Sequence, residues 1–102
     1  MFSVNWANSL MTKHAQIFTA IPHAHAFESF ESFLIKKTDA TLTYAVGFWH
    51  NKREDSAIVS ILDTAHASNF ETRVRALASD IKMELNQSLV LVAFSEVDLI
   101  EV

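Results

Sequence analysis

Only Pro22 and Gly47 interrupt these 102 residues with the chemistry that breaks or frees a backbone. Flexible linkers and long structureless loops draw on such residues, so the chain reads as one continuous unit of closely spaced elements. At this length there is room for one domain with one core. Half of the residues are apolar and eight are Phe, enough to stabilise a core without metal or disulfide staples. The lack of Cys excludes a disulfide framework, thiolate catalysis and every Cys-ligated metal site.

The formal charge of -4 is scattered, and the only short basic groupings are Lys36-Lys37 and Lys52-Arg53. Binding to nucleic acid needs a basic stripe that displaces counterions from phosphates, so no nucleic-acid partner is expected. No apolar run approaches the roughly 18 residues that span a bilayer, and the N-terminus lacks the basic region and apolar core of a signal peptide. The expectation is a soluble cytoplasmic protein with no membrane partner.

Residues 1–12 fit no clear period and read as an N-terminal arm, either helical or docked on a neighbour through Phe2 and Trp6; residues 13–102 form the domain. From Lys13 to Ile21 the residues Ile17, Phe18, Thr19 and Ile21 predict a strand, ended by Pro22, which cannot donate to a ladder. Phe27, Phe30, Phe33 and Leu34 share one helical face while Glu28, Glu31 and Ser32 fall away from it, predicting a helix over 24–37. Thr41–His50 and Ser56–Leu62 are runs of β formers around the polar stretch Asn51–Asp55, a hairpin with a charged tip. Ser68 and Glu71 have capping-box spacing, and Phe70, Val74, Leu77, Ile81 and Leu85 continue at helical intervals. Ser88–Phe94 is a last strand, which Leu99–Val102 continues or follows as a short fifth.

The order βαββαβ, with right-handed crossovers, predicts an α+β ferredoxin-like fold: a four-stranded antiparallel sheet with two helices on one face. The opposite face should be polar, yet it is partly apolar. His14, Gln16, Phe18 and Ala20 share one side of the first strand, and on the second Tyr44, Val46 and Phe48 point one way while Ala45, Gly47 and Trp49 point the other. A partly apolar open face meets a second subunit or a ligand. A homo-oligomer, a dimer packed sheet to sheet, is expected.

With its first strand HAQIFTAI, phenylalanine-rich helix, charged hairpin NKRED, strand SAIVSIL, helix NFETRVRALASDIKMEL and closing DLIEV, the chain resembles the dimeric α+β-barrel superfamily over about residues 13–102. That resemblance implies a small apolar or aromatic ligand in a cleft between helices and sheet, and in some members cofactor-independent monooxygenase or isomerase chemistry. More locally, Gly47-Phe48-Trp49-His50-Asn51-Lys52-Arg53-Glu54-Asp55-Ser56 is similar to the G-x-Y-x-G-x-x-E-x-S hairpin of small phage proteins, and the 86–91 junction NQSLVL is similar to theirs. Phage S-adenosylmethionine lyases, which are oligomers, have this general build. Trp49 stands where that pattern has Tyr and Asn51 where it has Gly, and Glu54 is the site residue the resemblance carries over.

Among the residues that can do chemistry, His50 beside Trp49 suits a general base, because imidazole titrates near neutrality. Tyr44, the sole Tyr, can orient a ligand through its hydroxyl. Phe18, Phe27, Phe30 and Trp49 are the candidate ligand wall. His23 and His25 form H-x-H, which at a helix start reads as solvated or capping, so no metal is expected; a site needs three or more convergent ligands. No phosphate-binding glycine loop, G-x-S-x-G elbow or H-E-x-x-H is present, and no cofactor is called for. The readings that remain are an apolar-ligand enzyme or binder, a phage-type lyase, and an interaction or inhibitor module without catalysis.

Overall fold

A computed structural model of the chain describes residues 9–102, with side chains from Met11 onward. The elements are β1 (Ser9–Ala20), α1 (Ala26–Ile35), β2 (Thr41–Trp49), β3 (Lys52–Leu62), α2 (Phe70–Glu84) and β4 (Leu91–Ile100). The strands lie in the order β2-β3-β1-β4, every neighbouring pair antiparallel. This is the α+β ferredoxin-like arrangement that the order of apolar runs predicts. Among the described residues no helix is long and apolar enough to cross a membrane.

Register decides which side chains meet the helices. On the covered face Ala15, Ile17 and Thr19 of β1 stand opposite Ile61, Val59 and Ala57 of β3, and all six are buried. Against them α1 lays Ala26, Phe30 and Leu34, and α2 lays Phe70, Val74, Leu77, Ala78 and Ile81. Phe30, Ile17, Ile81 and Val59 lose essentially all contact with water, each burial stabilising the fold by about 1.5–3 kcal/mol before its entropic cost.

Four details differ from the sequence expectations. β1 begins at Ser9, so Ser9–Thr12 of the expected arm run on into the strand; the proposed docking of Phe2 and Trp6 lies outside the described residues. The β2–β3 turn is only His50-Asn51, both in left-handed conformation (φ 48° and 64°), the two-residue connection whose twist suits a hairpin. The charged run Lys52–Asp55 therefore belongs to β3. Its side chains are exposed or only partly covered, and a segment bathed on both faces has no need of apolar alternation. Third, the capping box does not form: Asn69 is the N-cap without a side-chain cap bond, and the Ala67 carbonyl accepts the Phe70 amide. Buried Asp63 organises this entry instead, accepting the Ala67 N–H at 3.0 Å. Finally, β4 runs unbroken to Ile100, leaving no fifth strand among the described residues.

Candidate functional site

The open face of the sheet is built by the residues that alternate with the core. Thr43, Ile58, Phe18 and Leu91, one from each strand, line up across it in register, an apolar row that no helix covers. The rows on either side hold Thr41, Ser60, Gln16 and Ala93, and Ala45, Ser56 and Ala20. None of these residues is charged. Farther along, His14 Nδ1 lies 3.2 Å from Ser95 Oγ, beside a shallow groove of about 370 Å³ lined in part by Asp39, Thr41, Ser60 and Leu62.

At the other end of this face the hairpin places Trp49 opposite Lys52, and Gly47 opposite Glu54. The absence of a side chain at Gly47 matters here. A Cβ at that position would stand 2.9 Å from Ser56 Oγ, 3.8 Å from Trp49 Nε1 and 3.9 Å from the Glu54 carbonyl. The indole nitrogen thus lies over the glycine, and the ring keeps 53% of its surface in water. An exposed aromatic plane, a serine hydroxyl and, on the neighbouring strand, an exposed carboxylate occupy one end of one face. Such a set suits a flat ring that carries a positive group, because the carboxylate attracts the charge and the indole face adds cation–π attraction of about 0.5–2 kcal/mol.

The remaining expected site residues fall elsewhere. Tyr44 points to the helix side, where its ring meets Phe27 edge-on at 4.5 Å and its hydroxyl donates to the Glu31 carboxylate. Partial burial, that hydrogen bond and the carboxylate's charge, in that order, push the phenol up to about 12. His50, in the turn, is six residues along the strand from Tyr44, about 20 Å at strand rise, so the two candidate catalytic residues do not share a site. Phe30 is sealed in the core and Phe27 flanks it, while Phe18 lies across the sheet on the open side. His23 and His25 have ring centroids 6.2 Å apart, and among the described residues no group of three or more His, Asp or Glu converges as a metal site. The sequence reading missed Gly47 as the neighbour of both Trp49 and Ser56, and Glu31 as partner of Tyr44. The first was accessible from alternation once register was known; the second joins two elements and had no sequence signal.

No protein-family model matches the chain, and no curated protein matches it. Solved structures do. The fold is similar to that of a phage SAM lyase in the apo state, with TM-score 0.71 and 18% identity over 89% of this chain and 90% of that one. It is also similar to a phage SAM lyase in complex with S-methyl-5′-thioadenosine, with TM-score 0.66 and 17% identity over 88% and 90%. At this identity the likeness is one of fold, and the chain has the ferredoxin-like architecture on which a phage SAM lyase is built.

Proposed function

We propose that the chain is a lyase of the phage type, binding S-adenosylmethionine where the Trp49–Glu54 end of the open face meets a second copy. The observation that carries this reading is the fold likeness over about nine-tenths of both chains to a phage SAM lyase, one of whose structures holds the thioether nucleoside. The chemistry of the hairpin end agrees with it. S-adenosylmethionine is a purine nucleoside bearing a sulfonium and an ammonium group; Trp49 offers the ring a stacking plane and Glu54 offers the cations a counter-charge. Cleaving a carbon–sulfur bond of the sulfonium returns the bonding pair to sulfur as a neutral thioether while the substrate's own carboxylate oxygen bonds to the carbon released, closing a lactone, so the site's task is to hold the cation folded in that reactive pose. The apolar row of Ile58, Phe18 and Leu91 gives the second copy a surface to cover. A ligand between helices and sheet would be confined to the open groove of about 500 Å³ lined in part by Ile35, Ile61, Phe70, Arg73 and Leu77, outside the core that Phe30, Ile17, Val59 and Ile81 fill.

The test is incubation of the purified chain with S-adenosylmethionine, with chromatographic detection of S-methyl-5′-thioadenosine and calorimetric titration of both nucleosides. Glu54→Gln should weaken S-adenosylmethionine by about tenfold, as expected for losing one charge-assisted contact, and the neutral thioether far less. Trp49→Ala should weaken both. Failure of either nucleoside to bind at millimolar concentration overturns the reading.

A further inference from the structure

The two edges of the sheet are treated differently by the sequence. β4 carries Glu96 and Asp98 along its length, the charges that keep an edge from pairing with another chain. β2, the opposite edge, reads TLTYAVGFW: nine residues without one charge, without Pro, and rich in β formers. On the sheet's helix side its apolar groups stay open to water, with Phe48 75%, Val46 46% and Tyr44 45% exposed. α1 reaches Tyr44 through Glu31 and Phe27, whereas Val46 and Phe48 are left open.

We propose that β2 is a strand-addition interface for a second copy of this chain, paired antiparallel with its own counterpart about a two-fold axis near Ala45. An isologous contact sets residue i of one copy against j of the other and j against i, so self-pairing of β2, which carries no charge, brings no like charges together. Centred on Ala45, the pairing puts Phe48 of one copy beside Leu42 of the other and Val46 beside Tyr44 on the helix side. Both groups that each copy leaves uncovered are then closed by the partner. On the open side Gly47 faces Thr43 and Ala45 faces Ala45 of its mate, small residues that let the two edges approach. The result is a continuous eight-stranded sheet, in which backbone hydrogen bonds supply the affinity and alternate side chains supply the register. This contact uses the sheet's edge, so it is separate from the open-face contact proposed above and does not rest on it.

The experiment is the solution mass of the chain by light scattering, together with cysteine cross-linking, which is clean because the native chain has no Cys. The purified chain should have a multiple of its 11.5 kDa protomer mass, and Val46→Lys, which puts a charge on the edge at an exposed position, should halve that mass with unchanged circular dichroism. Ala45→Cys should form a disulfide-linked dimer under mild oxidation, while Ser95→Cys on β4 should not. A mass indifferent to Val46→Lys, or Ala45→Cys that stays monomeric on a non-reducing gel, overturns the edge contact. Phe18→Lys separates the two interfaces: it should disrupt open-face association and leave the Ala45→Cys cross-link intact.

Discussion

The Tyr44 hydroxyl donates its hydrogen bond to Glu31, tying an edge strand to the helix above it through two side chains 13 residues apart. The bond holds the phenol in its neutral form, as does the partial burial of the ring against Phe27. Tyr44 is the only Tyr in the chain, so its ionisation can be followed without interference by another phenol.

The ultraviolet titration of the native chain should show a phenolate midpoint near 12, against the ordinary 10 of the unfolded chain. Because the folded value is the higher one, the unfolded chain loses its proton first as pH rises. The contribution of Tyr44 to stability is therefore complete below pH 10 and declines between 10 and about 12. Glu31→Gln should move the midpoint toward 10 without reaching it, since the ring remains partly buried. An unchanged midpoint in that variant would show that the carboxylate plays no part.

The hairpin turn gives a second expectation. His50 and Asn51 both adopt positive φ, a region that costs side chains other than Gly about 1 kcal/mol or more. Replacing the pair by Asn-Gly, His50→Asn with Asn51→Gly, should stabilise the fold by about 1 kcal/mol, or about 4–8 °C in Tm for a domain of this size. Urea and thermal unfolding read both quantities. A loss of stability would mean that the histidine ring makes a contact worth more than the strain.

Gly47 yields a third, in the form of a cycle. The glycine does not sit at positive φ, so an alanine there is conformationally allowed and should stabilise by about 0.4–1 kcal/mol through the unfolded chain. The hydroxyl of Ser56, 2.9 Å from the added carbon, must first rotate away. Gly47→Ala should therefore stabilise more in a Ser56→Ala background than in the native one, by denaturant unfolding of all four chains. Equal effects in the two backgrounds would show that the hydroxyl does not press on this position.

Much of the architecture was legible because its signals are local and periodic. Phe70, Val74, Leu77 and Ile81 mark α2 by spacing, and all four are buried. Phe30 and Leu34 mark α1 in the same way, though Phe27 and Phe33 are only partly covered because the narrow helix face meets the sheet at its edge. The beginning of β3 was hidden, since Lys52–Glu54 extend into water on both sides and lack the alternation that a half-buried strand needs. The candidate site was legible only as pairs of positions. Alternation assigns Gly47 and Trp49 to one face and Tyr44 to the other, but which face the helices cover is decided by tertiary packing. That is why Tyr44, Phe27 and Phe30 separated from Trp49, Phe18 and Glu54.

β1 is the spine of the sheet, laddered to β3 from His14 to Ala20 and to β4 from Ser9 to Phe18. Its partner on one side thus comes after every other described element in chain order: Ser9 faces Ile100. During synthesis at about 5–20 residues per second the ribosome has long released β1 before β4 exists, and through that interval β1 has an unpaired side flanked by apolar residues. Until residues 91–100 follow, that side of β1 has no strand to pair with, and a chain stalled before residue 91 would carry a strand without its mate.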